Sequence, residues 1–191
     1  FDQERALYGQ TGICAVDCTF AGPADGESAF KECKDICAEH CLFRLRYPFW
    51  HDRNLKITAC EMTDTCRAAL WYSEHIVVEN TKLHGIKALR ECRDINIRRC
   101  DIISKEFGWS ARDVRMEDCD VESEYFILRS TGLRFANVRM RGKYSFQYIE
   151  NAAFERRVSL EDAKAKYDAW GSRTRFPKRK DAAKAPEKPE K

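Results

Sequence analysis

Tryptophans and an arginine recur at a spacing of nearly twenty residues, as expected of side chains aligned along one surface. Trp50, Trp71 and Trp109 belong to this series, and Arg90 lies between the last two in sequence. A soluble protein seldom exposes such a row unless it binds something, and ring faces flanked by a cation favour an extended saccharide. The residues one position further along, which we expect to supply polar contacts, are His51, Tyr72 and Glu91.

Acidic residues near this row are the candidates for catalysis. Cleavage of a glycan requires two carboxylates across a sugar, or a calcium-assisted lyase site with a basic group. The acidic residues at or beside the aromatic row are Glu32, Asp52, Glu91 and Glu106. No motif fixes a pair of them, and the sequence has no phosphate-binding glycine loop or nucleophile elbow. The catalytic residues are therefore unknown, and the sequence favours a protein that is not an enzyme. If it is one, we expect a polysaccharide lyase or a glycoside hydrolase.

Two further interpretations of the aromatic row stay open. Same-face aromatic pairs stabilise sheets, so the rings can simply stack on one another and shield the backbone. The protein can also be a scaffold that offers its flat faces or an end to a protein partner. A saccharide site requires Trp50, Trp71 and Trp109 to be exposed and coplanar, whereas a scaffold does not.

The row belongs to a repeat that runs through most of the chain. Each copy is a nine-residue motif: a polar or glycine residue, then apolar, any, apolar, any, any, usually Cys, any and apolar. Successive copies lie 23, 19, 21, 19, 19 and 19 residues apart. The first apolar positions are Ile13, Ile36, Leu55, Ile76, Ile95, Val114 and Leu133. The second are Ala15, Ala38, Ile57, Val78, Ile97, Met116 and Phe135, and the last are Phe20, Phe43, Met62, Leu83, Ile102, Val121 and Met140.

A second apolar column lies between the copies: Phe30, Phe49, Leu70, Leu89, Gly108, Ile127 and Phe146. Each repeat thus holds two or three short strands of period two, which cannot bury their apolar side alone. Stacking them predicts an all-β fold, a right-handed parallel β-helix of about seven coils. A leucine-rich repeat shares part of the motif, but Phe107–Ser110 and Tyr47–Trp50 favour strands and turns over a helix.

Most of the ten cysteines fall in one column of this repeat, at Cys18, Cys41, Cys60, Cys100 and Cys119. Thr81 and Val138 occupy the same column, so we interpret the thiols as small buried groups in a reducing compartment. A zinc site at Cys33, Cys37, Cys41 and His40 is the alternative. The repeat places Cys33 and Cys41 on different strands of one coil and Cys37 at an outward position, and we predict no metal.

Composition and charge also bear on which classes of partner the protein can bind. The 43% apolar fraction supports a packed interior, and the net charge of +3 resides in the tail, since residues 155–191 carry twelve basic and seven acidic groups. Residues 1–154 carry 22 basic and 24 acidic groups, which does not favour nucleic-acid binding. No apolar run predicts a membrane span. We expect no cofactor, a cytoplasmic location and an oligosaccharide or protein partner, although a cleaved leader before Phe1 stays open.

The pattern weakens after residue 154, where we place the end of the β-helix domain. Residues 155–191 are predicted to be an irregular tail, with a short helix over about 159–170 because Ser159–Asp162 resembles a helix N-terminus. The rest is rich in Lys, Ala, Pro and Glu and is expected to be disordered or to bind an anionic partner. An open C-terminal coil invites self-association.

Several short sequence motifs resemble those of the family known as domain of unknown function 3737. They are Glu4–Gly9, Asp25–Ser28, Tyr47–Trp50, Arg67–Ser73 and Gly142–Tyr148. The resemblance covers about residues 1–151 and implies a β-helix of the pectate-lyase-like kind, but no activity and no catalytic residues. Family members look longer, and the departure near Glu155 is of the kind that a truncation or frameshift produces.

Overall fold

The computed structural model describes residues 1–21 and 28–162, which form a parallel β-solenoid without helices. One side of the solenoid, face A, contains β2 (Cys14–Val16), β5 (Lys34–Glu39), β7 (Arg53–Thr58), β9 (Glu74–Glu79), β11 (Arg93–Arg98) and β15 (Glu150–Glu155). Face B contains β3 (Thr19–Phe20), β6 (Leu42–Phe43), β8 (Glu61–Met62), β10 (Lys82–Ala88), β12 (Asp101–Phe107) and β16 (Ser159–Asp162). Two long strands, β13 (Arg112–Phe126) and β14 (Thr131–Ser145), bend where face A meets face B and belong to both faces. A separate pair is formed by β1 (Arg5–Ala6) and β4 (Ser28–Ala29).

The solenoid has eight coils where the repeat predicted about seven. In the eighth coil Ala152 of β15 pairs with Leu133, and Leu160 of β16 pairs with Met140. The helix predicted to begin at Ser159 is therefore wrong over residues 159–162, because pairing with β14 overrides the local helix-start signal. One extra residue between the faces moves the apolar position from Ser159 to Leu160. The remainder of the predicted helix and tail, residues 163–191, lies outside the described residues.

The predicted apolar columns form the core. The seven copies of the repeat contain twenty-one predicted apolar positions, and twenty of them are buried. The exception is Ile13 in the first coil, which is half-buried. Phe20 stacks on Phe43 with ring centroids 5.0 Å apart, and Phe30 stacks on Phe49 at 5.2 Å. Parallel in-register pairing places identical positions of successive coils one above another, so each column becomes a continuous ladder of contacts.

Every coil turns at four residues in the left-handed backbone conformation. Among the described residues, 28 non-glycine residues and four glycines have positive φ, and they fall into four columns of eight. One column is the second apolar column, from Leu7 through Phe49 to Phe146; another begins at Gly9 and continues through Glu32, His51 and Tyr72. Bulky residues rarely adopt this conformation, which costs about 1–3 kcal/mol each, so the stacked neighbours must hold them in place.

The cysteine column packs as predicted. All ten cysteines are free thiols, and those of the column are buried except Cys18, which is half-buried. The thiols of Cys41, Cys60 and Cys119 each donate a hydrogen bond to the carbonyl two residues earlier, at 3.2–3.3 Å. Cysteine is thus used as a small apolar group that also satisfies a corner carbonyl.

Candidate functional site

The predicted aromatic row lies along a corner of the solenoid. Each of its residues sits between two left-handed residues, as Trp50 does between Phe49 and His51. The N–H of His51 donates to the carbonyl of Trp71 at 2.9 Å, and the same bond recurs one coil further along the corner. This fixes one side chain per coil on the corner. We call the series the corner ladder: Tyr8, Lys31, Trp50, Trp71, Arg90, Trp109, Leu128 and Gln147.

Cations lie between the rings of the corner ladder. The guanidinium of Arg90 is 5.5 Å from the ring centroids of both Trp71 and Trp109. The ammonium of Lys31 lies 5.0 Å from the ring of Trp50 and 5.9 Å from that of Tyr8. Both cations are therefore held between aromatic rings from neighbouring coils, and these contacts stabilise the ladder.

The flat strip expected of the tryptophans is not present. The rings of Trp50 and Trp71 meet edge to face, with an interplanar angle of 72° and centroids 6.1 Å apart. The indole N–H of Trp71 donates to the carbonyl of Lys87, and both side chains are half-buried, as is Trp109. The expectation failed because the residues sit on a corner and not on an extended strand, so along the solenoid axis the rings meet edge to face or lie against Arg90.

The following column forms an exposed rim beside the ladder. The rings of His51 and Tyr72 stack with centroids 4.8 Å apart and an interplanar angle of 18°, and Tyr72 is 37% exposed. Next along the rim comes Glu91, whose carboxylate lies 3.5 Å from Nε of Arg90. Ladder and rim together hold all seven predicted ligand-binding residues on one corner: Trp50, Trp71, Arg90, Trp109, His51, Tyr72 and Glu91.

A polar groove of about 550 Å³ runs along this corner across four coils. Its near wall is the rim, from His51 through Tyr72 and Glu91 to Ser110, and residues two positions further along each coil form its far wall: Arg53, Glu74, Arg93 and Arg112. At the usual strand spacing four coils span about 14 Å. Sequence reasoning missed the far wall, although its residues recur in the same repeat.

Charges on the far wall are organised around Glu74. Its buried carboxylate forms ion pairs with Arg53 on the coil below and Arg93 on the coil above. Within the part of the chain that the structure describes, Arg112 makes no ion pair or hydrogen bond through its side chain. One guanidinium of the groove is thus available for a ligand oxygen.

Asp52 lies beneath the groove with its side chain inward, and not beside the aromatic face as the sequence suggested. It is 0% exposed, and its Oδ1 accepts the backbone N–H of Cys33 at 2.6 Å. Among the described residues no donor reaches its Oδ2. Burial raises the pKa of this carboxyl to about 8, so it is mainly protonated at neutral pH.

Residues that occupy the same position as Asp52 in later coils show what its side chain does in the structure. Ser73 stands in the same position one coil further and accepts the backbone N–H of Asp52 at 3.0 Å. Ser130 accepts the N–H of Ala111 at 2.9 Å in the same way and donates to the carbonyl of Gly108. Asp52 therefore occupies the position of a serine inside the corner and accepts one backbone N–H there, and its side chain has no exposed surface in the groove.

The other candidate acids already have hydrogen-bond or ion-pair partners, or lie too far apart to act together. Glu32 accepts the hydroxyl of Tyr8 at 2.8 Å, and Glu106 pairs with Lys87 at 3.3 Å on a different side of the solenoid. Glu32 and Glu91 share the rim but lie three coils apart, about 14 Å at the usual strand spacing, which exceeds the separation that glycosidases use. The structure does not bring two of the predicted acids together across the groove.

The thiols around His40 do not converge either. Cys33 donates to the carbonyl of Leu7 at 3.0 Å, Cys37 points outward from face A, and the imidazole of His40 lies 3.7 Å from the carboxylate of Asp17. Within residues 1–21 and 28–162, no three His, Cys, Asp or Glu side chains are placed to hold a metal ion. The same residues include no helix long and apolar enough to cross a membrane.

These features define a parallel β-solenoid with a polar groove along one corner. The chain belongs to the protein family of unknown function DUF3737, whose sequence profile matches residues 1–169. The match continues beyond residue 151, where the resemblance had been expected to end. No curated protein and no solved structure matches the chain.

Proposed function

We propose that the protein is a non-catalytic β-solenoid that binds an extended saccharide along the corner groove. The observation that carries this proposal is the groove itself, which crosses four coils and presents polar side chains on both walls at each coil. A repeating set of donors and acceptors matches a polymer better than a single small molecule. Arg112 and the ion-paired Arg93 can donate to carboxylates or hydroxyls, and Glu91 and Ser110 can accept from hydroxyls.

The stacking surface of this site is the rim and not the tryptophans. Cations and a neighbouring indole already contact the corner-ladder rings, whereas Tyr72, although it stacks on His51, is 37% exposed beside the groove. The corner ladder then acts as a rigid wall that holds the rim in place. Preorganised aromatic side chains supply contact area at low conformational cost.

A glycan-cleaving role has less support. A general acid must reach the glycosidic oxygen with a pKa near neutrality. Asp52 has a raised pKa, but its carboxyl is fully buried, and Glu74 is held by two arginines. The proposal is therefore binding without turnover.

The test is titration of the purified chain with neutral and acidic oligosaccharides, followed by calorimetry and by acrylamide quenching of tryptophan fluorescence. We expect Tyr72→Ala and Arg112→Gln each to weaken binding about tenfold, since each removes one groove contact worth about 1.4 kcal/mol. Tyr148→Ala is the matched control, because Tyr148 is 80% exposed in the same column but lies outside the groove. Failure of every glycan to bind, or equal losses in Tyr148→Ala and Tyr72→Ala, contradicts the proposal.

A scaffold role is supported by a separate observation at the last described coil. Phe154 of β15 is 49% exposed and Leu160 of β16 is 53% exposed, an unusual position for two large apolar side chains. An apolar edge of this kind favours stacking on a second copy of the chain. Sedimentation velocity over a range of concentrations tests this role: Leu160→Glu should abolish any dimer, and a monomer at every concentration excludes the role.

A further inference from the structure

Charged side chains on the solenoid surface are usually neutralised by the coil above or below. On face A, Glu117 lies between Arg98 and Arg156, with N–O distances of 3.0 and 3.1 Å. On face B, Asp120 pairs with Arg139 at 2.5 Å, and Glu122 lies 3.9 Å from Arg141. In-register stacking places like charges about 4.8 Å apart unless they alternate, so alternation stabilises the surface.

Four registered pairs carry like charges, and one of them differs from the rest. The pairs are Lys34–Arg53, Arg93–Arg112, Asp101–Asp120 and Arg115–Arg134. In the first three, at least one member contacts an opposite charge, namely Asp35, Glu74 or Arg139. Within the described part of the chain, neither Arg115 nor Arg134 has an ion pair or a hydrogen-bond partner for its guanidinium.

The surroundings of this pair exclude internal neutralisation. The carboxylate of Glu117, two residues along the strand from Arg115, is already held by Arg98 and Arg156. Asp113 and Glu155 border the pair, but neither lies within ion-pairing distance of it. Two like charges without a counter-ion destabilise the stacked coils, and a local rule broken without compensation is typical of a functional position.

The pair also has room for a ligand. It faces a groove of about 640 Å³ on face A, where the short side chain of Ala136 leaves space beside Arg134. Asn96 lines the same groove one coil before Arg115 and offers an amide donor. Guanidinium groups on adjacent coils present parallel N–H donors to a single group placed between them.

We propose that Arg115 and Arg134 form a binding site for a tetrahedral oxyanion, a phosphate or sulfate group. Such a group has oxygens for both guanidiniums at once and neutralises both charges, whereas a carboxylate has two oxygens and a single charge. The site lies on face A, so it is independent of the saccharide groove. The oxyanion can be free or carried by a sugar, and the test separates these sources.

The experiment follows the arginine Nε–Hε signals of the ¹⁵N-labelled chain by NMR at low ionic strength. The probes are inorganic phosphate, inorganic sulfate, a phosphorylated monosaccharide, a sulfated monosaccharide and acetate. We expect saturable shifts of the Arg115 and Arg134 signals with one common Kd, and binding of acetate at least tenfold weaker. Tighter binding of a sugar ester than of the inorganic ion would identify the carried group as the source.

Variants make the assignment specific. Arg115→Gln and Arg134→Gln should each weaken binding at least tenfold, while their exposed positions leave the fold intact. The charge-matched controls are the single variants Arg44→Gln and Arg67→Gln, each at an exposed arginine outside this groove. Shifts that do not saturate, that occur equally at Arg44 and Arg67, or that survive in Arg115→Gln would overturn the proposal. None of these outcomes depends on whether the corner groove binds a saccharide.

Discussion

The carboxyl group of Asp52 accepts the backbone N–H of Cys33 at 2.6 Å from inside the corner of the next coil. Serine does the same in later coils, where a hydroxyl both accepts an N–H and donates to a carbonyl. Asp52 accepts one N–H in the same way, but its Oδ2 has no hydrogen-bond partner among the described residues, so burial disfavours the charged form of the carboxyl group. The chain thus places an ionisable group at a position that favours a neutral one.

Stability should therefore fall as the pH rises toward 8. Burial raises the pKa of Asp52 from 3.8 to about 8, so between these values the folded chain keeps a proton that the unfolded chain has lost. Below pH 4 both states hold the proton; between pH 4 and 8 only the folded state does, so the free energy of unfolding falls by about 1.4 kcal/mol per pH unit. Urea unfolding at several pH values measures it. Asp52→Ser should flatten this slope and raise the midpoint at pH 8, and an unchanged slope in that variant would contradict the assignment.

The Arg90 sandwich should contribute measurably to stability. Its guanidinium lies 5.5 Å from both Trp71 and Trp109, and a cation over one ring is worth about 0.5–2 kcal/mol. We expect Arg90→Ala to cost about 1–3 kcal/mol on that basis and Arg90→Lys to cost less. A double-mutant cycle of Arg90→Ala with Trp109→Leu isolates the pair. A coupling energy near zero would mean that Arg90 acts only by filling space.

Inward positions were predictable from the sequence, whereas the corner was not. Alternation fixes which side of a strand is apolar, so the burial of Ile57 and Val78 follows from the repeat alone. Left-handed conformations at Phe49 and His51 oppose local propensity and exist only because stacked coils impose them. The tryptophan orientation and the far wall of the groove depend on these corners. The sequence therefore predicted that these residues share one surface of the solenoid but misjudged the direction of their rings.

Thiol reactivity should follow burial and neighbouring groups. Cys14 is exposed on face A and pairs in register with Cys37, whose pKa is raised to about 11 by the adjacent Cys14 thiol and by burial. Cys92 is buried and its pKa is raised to about 12. We expect Cys14 to react first with a disulfide reagent at pH 8, and all ten thiols only after denaturation. Cys14→Ser should remove the fast phase and Cys37→Ser should keep it; an unchanged fast phase in Cys14→Ser would refute the ranking.

Gly85 of β10 lies against the turn that contains Cys66, where the coil before it is two residues longer than the usual nineteen. A Cβ at this position would lie 2.2 Å from the carbonyl oxygen of Cys66, a backbone atom that cannot move without shifting the inserted turn. Its φ is not in the left-handed region, so the requirement is for space alone. We expect Gly85→Ala to cost about 1–3 kcal/mol through overpacking. Gly12 provides the contrasting case.

Gly12 has a φ of +73°, yet nothing lies within 4 Å of its Cβ position, and Asp35 and Asn54 occupy the same column. Gly12→Asn should therefore cost less than about 1 kcal/mol, because asparagine tolerates the left-handed region. Urea unfolding of the two variants separates steric need from conformational need. Equal losses of unfolding free energy in the two variants would show that the turn containing Cys66 accommodates a methyl group at residue 85. The close approach of residues 66 and 85 would then not fix the register of this coil.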